Sequence, residues 1–131
     1  MLEIGTGSGY QAAVLAELGA LVYSVEVRPE LLEIGRRNLE TTGYKSVQTH
    51  LGDGHAGWPE LAPFDRIILT AAPSEVPSAV LAQLAVGGRL LAPVGVDRQV
   101  LVRIDRTPRG DHRQDVCGVL FVPMVVSAGA R

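Results

Sequence analysis

Leu2-Glu3-Ile4-Gly5-Thr6-Gly7-Ser8-Gly9-Tyr10-Gln11 decides how the rest of the chain is read. Met1 to Ile4 is a short apolar strand, and Gly5-Thr6-Gly7-Ser8-Gly9 is a loop whose tight turn requires residues without a Cβ. From Tyr10 to Leu18 the helix formers Ala12, Ala13, Val14, Leu15, Ala16 and Leu18 follow, and Gly19 supplies a C-terminal stop. Strand, glycine loop and helix in that order open an α/β unit.

The rhythm continues. Leu21 to Val27 alternates and carries Val and Tyr, as a strand does. Pro29 suits the first turn of a second helix, with Leu31, Leu32, Ile34 and Leu39 as its apolar face and Gly43 closing it. A third strand is expected at Ser46 to Leu51, then a turn-rich loop from Gly52 to Pro63. Phe64 to Thr70 is the pattern of a central parallel strand buried on both faces. Pro77 to Val86 reads as a helix stopped by Gly87-Gly88, and Arg89 to Val94 as the next strand. Gln99 to Asp105 and Val116 to Val122 are further strands, with the polar Arg106 to Asp115 as their hairpin loop. The expected architecture is a doubly wound, Rossmann-like α/β sheet with an antiparallel C-terminal hairpin, one domain over residues 1–131.

Composition narrows the function classes. At 131 residues the chain fits one typical domain of roughly 150 residues. Hydrophobic residues at 47% against 20% charged suit a globular chain rather than a disordered one. Twelve basic against fourteen acidic residues leave a net charge of −2, so no basic footprint for nucleic acid is visible. No apolar run approaches the roughly eighteen residues of a membrane-spanning helix, and no secretory leader pattern opens the chain. Cys117 has no second cysteine to pair with, which fits a reducing, cytoplasmic compartment, and a monomer is expected.

Three features fall at the carboxyl ends of successive strands, where open α/β sheets bind ligands. Gly5 to Gly9 bring backbone close to a ligand, and the helix that follows favours an anionic group. Glu26 lies about twenty residues on, where a carboxylate accepts hydrogen bonds from ribose hydroxyls. Asp53, between Gly52 and Gly54, can accept from an exocyclic adenine amine. Each alone has a bland reading, as an ordinary turn, a solvated strand end or an Asp-Gly turn. In register, they describe an adenosine-containing cofactor lying across the sheet edge.

The dinucleotide fingerprint Gly-x-Gly-x-x-Gly needs glycine at position 10, which is Tyr10, and the Gly-Lys-Ser/Thr phosphate loop is absent. The run Glu3-x-Gly5-x-Gly7-x-Gly9 instead resembles the first motif of class I S-adenosylmethionine-dependent methyltransferases. Leu2 to Gln11, Val25-Glu26, Gly52-Asp53-Gly54, Gly57-Trp58-Pro59, Phe64-Asp65, Leu69-Thr70-Ala71-Ala72, Gly87-Gly88-Arg89-Leu90, Pro93-Val94-Gly95, Gln99-Val100-Leu101 and Phe121-Val122-Pro123-Met124 together closely resemble bacterial protein-L-isoaspartate O-methyltransferases. The resemblance implies methyl transfer from S-adenosylmethionine to L-isoaspartyl carboxylates in damaged proteins. It implies that Glu3 and Gly5, Thr6, Gly7, Ser8 and Gly9 line the methionine end of the cofactor, that Glu26 holds the ribose, that Asp53 and Gly54 contact the adenine, and that Val27 packs on the ring. The family's serine-containing substrate motif lies in a leading segment that this sequence does not contain, so no catalytic residue is assigned and the chain is expected to be N-terminally truncated. A sheet face near Met1 and Leu21 to Val25 should then expose apolar area. The alternatives are a catalytically impaired cofactor-binding fragment and a small-molecule methyltransferase of the same fold.

Other residues carry less. Trp58 is expected to pack rather than bind, Cys117 to sit inertly in the core, and the apolar residues of Pro77 to Val86 to face the core. His50, His55 and His112 lack metal-ligand spacing, and no metal is assigned. Thr6 and Tyr10 stand where a Gly-x-Ser-x-Gly nucleophile elbow around Ser8 would need glycines.

Overall fold

Gly9 adopts φ 84° and starts α1 (Tyr10–Glu17); Pro29 occupies the first turn of α2 (Pro29–Thr41), as its fixed φ favours. In the computed structural model, which describes residues 1–127, these helices alternate with β1 (Leu2–Ile4), β2 (Tyr23–Glu26) and β3 (Gln48–Leu51). After β4 (Phe64–Leu69) come α3 (Ser78–Leu81), β5 (Leu84–Val94), β6 (Gln99–Thr107) and β7 (Gly110–Val119). The sheet order is β3-β2-β1-β4-β5-β6-β7, parallel from β3 to β5 and antiparallel from β5 to β7. β4 is the middle strand. Its second half is buried, at Ile67 and Leu69, but Asp65 and Arg66 are exposed, so the expected burial on both faces holds only near the site.

Period-two alternation places Leu2, Ile4, Tyr23 and Val25 on one face of the sheet and Glu3 and Ser24 on the other. The first face joins Phe64, Ile67, Leu69, Val80 and Leu90 in the main core, with Trp58 edge-on to Tyr23 at 5.9 Å and stacked on His50 at 4.8 Å. Trp58 packs, as expected. A smaller cluster of Ala12, Val22 and Leu39 joins α1 and α2 to the sheet. That cover leaves Val22 1% exposed, while Val25 is equally buried in the main core on the opposite face, so the open apolar face expected at Leu21 to Val25 is confined to Leu21 itself. Near that edge the exposed apolar side chains are Tyr10 and Val14 on α1 and Leu18 just after it.

Two stretches differ from the sequence reading. The helix expected over Pro77 to Val86 is the four-residue α3, because Leu84 pairs with Phe64 and draws 84–86 into β5. Gly87 and Gly88 therefore do not stop a helix; the register shift on the partner strand between Phe64 and Arg66 accommodates them as a bulge. The polar Arg106 to Asp115 is not a loop but the ends of two strands joined tightly at Pro108 and Arg109, while 120–122 lie beyond β7. Charge holds this hairpin: Arg106 pairs with Asp111 through two nitrogens, at 2.8 and 3.0 Å, and Asp105 lies between Arg89 and Arg103. Hydrogen bonds from those two arginines take the Asp105 carboxyl down to about 2. Cys117, expected in the core, is exposed because neither face of β7 is covered.

Candidate functional site

The glycine loop is shaped by what presses on it. Gly5 has φ 101°, and a Cβ there would stand 2.2 Å from the Thr70 hydroxyl, which donates to the carbonyls of Ile4 and Gly5 at 2.9 Å each. From the other side Gly35 of α2 approaches so closely that a Cβ would lie 2.8 Å from the Gly7 carbonyl. Gly5→Ala combines a left-handed backbone with that clash, so we expect a loss of about 2 kcal/mol of stability, read from urea unfolding.

Glu26 ends β2 and is 6% exposed. Its Oε2 accepts from the Gly7 backbone N–H at 2.9 Å and its Oε1 from that of Arg28 at 3.1 Å. Each carboxylate oxygen accepts more than one hydrogen bond, so both retain capacity for a further donor. The side chain thus fixes the loop while remaining an acceptor for a ligand.

Asp53 caps the short turn Gly54–Ala56 that follows β3. Burial raises its pKa, but the His55 backbone N–H, the His55 ring 2.8 Å away and the Ser127 backbone N–H outweigh this and hold it below the usual carboxylate value. A deprotonated acceptor results.

Between these elements lies a cavity of about 450 Å³, a volume usual for small-ligand sites. Gly5, Gly7, Glu26, Val27 and Gly54 line it, so five of the ten residues assigned from sequence meet there. The others sit elsewhere. Ser8 and Gly9 turn into a separate groove between α1 and α2, while Asp53 adjoins the cavity through Gly54. Glu3 and Thr6 are buried behind the loop: the Ser24 hydroxyl donates to Glu3 Oε1 at 2.6 Å and meets the Thr6 hydroxyl at 2.6 Å. Among the described residues Glu3 Oε2 has no partner, and burial, opposed by the Ser24 bond and aided by the Glu26 charge, raises this carboxyl to about 7.

Sequence reasoning assigned no site role to the far wall, which is Thr70 and Ala71 after β4 together with Val122, Pro123, Met124 and Val125. Nor did it find Gln83, which is 6% exposed; its amide accepts from the Trp58 N–H and donates to the Ala56 and Ala79 carbonyls, pinning the loop after Asp53. A glutamine or threonine inside an otherwise apolar stretch is the signal that marks such residues.

Comparison with known proteins agrees with this geometry. The family model described as protein-L-isoaspartate(D-aspartate) O-methyltransferase matches residues 1–129. The protein-L-isoaspartate O-methyltransferase of Gloeobacter violaceus is 54% identical over 126 residues, 95% of this chain and 62% of the relative. A protein of Pelobacter propionicus named protein-L-isoaspartate O-methyltransferase 2 is 50% identical over 132 residues, 98% of this chain and 59% of its own. The chain thus spans about three fifths of the length of these relatives. A solved protein-L-isoaspartate O-methyltransferase superposes on 98% of this chain and 42% of its own with a TM-score of 0.89 at 34% identity. A Plasmodium falciparum structure, described as a complex with S-adenosyl-L-homocysteine, has the same fold, with a TM-score of 0.78 at 24% identity over 95% of this chain and 64% of its own. A glycine loop pinned between Thr70, Gly35 and Glu26, on a sheet of this order and with these matches, establishes that the chain belongs to the protein-L-isoaspartate(D-aspartate) O-methyltransferase family.

Proposed function

We propose that the chain binds S-adenosylmethionine in the cavity beside Gly5 to Gly7 and forms the cofactor-binding part of an enzyme that methylates L-isoaspartyl carboxylates in damaged proteins. The observation that carries this reading is Glu26, a nearly buried carboxylate whose two oxygens each spend one lone pair on backbone and face a cavity of ligand size. A ribose diol fits that acceptor; a phosphate would be repelled by it. Val27, Leu31 and Ile4 add apolar surface for an aromatic base, and Asp53, held ionised, stands next to Gly54 to accept from its amine.

When bound, the cofactor supplies an electrophilic methyl group on a sulfonium. The acceptor carboxylate is already ionised at neutral pH, so the protein needs no strong base. Its contribution is to hold the reacting atoms in line and exclude water, an effect worth up to roughly 7–11 kcal/mol in favourable cases. The walls do this by being fixed: Thr70, Gly35 and Glu26 immobilise the loop. Partners are isoaspartyl proteins or peptides rather than nucleic acid or membrane. No described helix is long and apolar enough to cross a membrane, and an exposed unpaired Cys117 suits a reducing, cytoplasmic compartment.

Calorimetric titration with S-adenosylhomocysteine, followed by a methyl-ester assay on an isoaspartyl peptide, tests the reading. Binding with ester formation is expected. Binding without turnover would make the chain a catalytically impaired cofactor-binding fragment, turnover only on a small nucleophile would change the substrate class, and absence of binding by folded protein would end the reading.

A further inference from the structure

After β7 the chain leaves the sheet edge and runs back over the carboxyl ends of the strands. Its course is set by few contacts. Gln99, the first residue of β6 and 9% exposed, accepts from the Phe121 N–H at 2.7 Å and donates to the Phe121 carbonyl at 3.0 Å. The amide side chain thereby imitates a neighbouring strand at the point where β7 has ended. Beyond it, Ala72 donates to the Val122 carbonyl and accepts from the Met124 N–H, both at 2.8 Å. Met124 Cε lies so close to Gly54 that a Cβ there would stand 2.8 Å away, and the Ser127 N–H reaches Asp53. Residues 121–127 thus form a strap that begins at Gln99, crosses the end of β4 and finishes on the carboxylate after β3.

The strap is also a wall of the ligand cavity, through Val122, Pro123, Met124 and Val125. Besides those bonds, Met124 packs against the main core. Val122 and Val126 are 69% and 57% exposed, so apart from Met124 apolar burial contributes modestly along the strap's length. Among the described residues, Gln99 is the side chain that grips the strap's backbone at its root, and the grip uses both ends of one amide.

We propose that Gln99 is a positioning residue for the cofactor: its two hydrogen bonds to Phe121 set the strap against Ala72 and Asp53 and so complete the wall that retains the ligand. This rests on the methyl-donor reading above. Without the clamp, the strap hinges at Leu120, which is 89% exposed, and the cavity opens on that side.

The test compares Gln99→Met, which keeps an unbranched side chain and removes both bonds, with Gln99→Glu, which keeps an acceptor for the Phe121 N–H. Amide hydrogen exchange on ligand-free protein reads the clamp, and titration with S-adenosylhomocysteine reads its consequence. In Gln99→Met the Phe121 and Met124 amides should exchange roughly tenfold faster while those of Leu90 and Val102 in the sheet do not change. The dissociation constant should rise about tenfold, and Gln99→Glu should also loosen the strap and weaken binding, because its second carboxylate oxygen faces the Phe121 carbonyl in place of the donating amide. Unchanged strap exchange in Gln99→Met, or a loosened strap with unaltered affinity, would overturn the proposal. Should Gln99→Met not fold, the same two readouts on Gln99→Glu decide, wild-type values in both counting against the clamp. Failure of the wild-type protein to bind S-adenosylhomocysteine would overturn the methyl-donor reading and with it the cofactor role, whereas the exchange data would still report whether Gln99 holds the strap.

Discussion

Replacing Glu26 with alanine should raise the dissociation constant for S-adenosylhomocysteine by at least about 100-fold, because hydrogen bonds to a charged acceptor contribute roughly 1.5–3 kcal/mol each and a ribose diol would make two. The loss has a second source. The Gly7 N–H now bonded to Oε2 would lose its partner, so the loop itself would be less fixed. Gln is the informative companion. It retains one acceptor oxygen but places an amide donor where the other carboxylate oxygen meets either the Gly7 or the Arg28 N–H. Affinity should therefore fall in Glu26→Gln as well, though less than in the alanine variant. Calorimetry on both variants, alongside urea unfolding to separate binding from stability, checks this. Equal affinity in wild type and Glu26→Ala would remove the carboxylate from the site.

The features that announced this site were local. Gly5 to Gly9, Glu26 and Asp53 each lie at or just past the carboxyl end of a strand, so chain direction alone carries them to the same sheet edge. What the sequence hid depends on partners far along the chain. Thr70 acts on the loop 65 residues before it, Gln83 on a loop 25 residues earlier, and Gln99 on a segment 22 residues later. No periodicity encodes such pairs. Gly35 was legible in principle, since a glycine within a helical pattern costs about 1 kcal/mol against alanine and asks for a packing reason. The reason is the Gly7 carbonyl. The first part of β7, 110–115, was missed for a different cause. Strand patterns are visible where one face is buried, and along 110–119 both faces meet water, so Arg106 and Asp111 specify the pairing by charge instead of by alternation. Over 84–86 a short apolar run fits a helix or a strand equally, and only its pairing with Phe64 decides.

Glu3→Gln should make stability markedly less dependent on pH. In the folded protein Glu3 is fully buried, one carboxylate oxygen lacks any partner among the described residues, and its carboxyl is raised from 4.5 to about 7. Between those two values the folded state holds a proton that the unfolded chain has released, so stability falls as pH rises through this window and levels off above it. The neutral form's contribution is complete below about pH 4.5 and lost above about pH 7, and a shift of that size corresponds to about 3 kcal/mol. Glutamine carries no charge at any of these pH values. The stability of Glu3→Gln relative to wild type should therefore increase by about 3 kcal/mol from pH 4.5 to pH 8, measured by urea unfolding. Taking the difference between the two proteins removes contributions they share, among them Asp53, Asp105 and Asp111, whose lowered values act at more acidic pH. A difference that stays constant across the window would show that the buried carboxyl titrates normally. If the difference does open, the chain carries an acid in its core behind the glycine loop that is about half ionised near neutral pH. The hydroxyls of Ser24 and Thr6 then link its charge to the backbone of that loop.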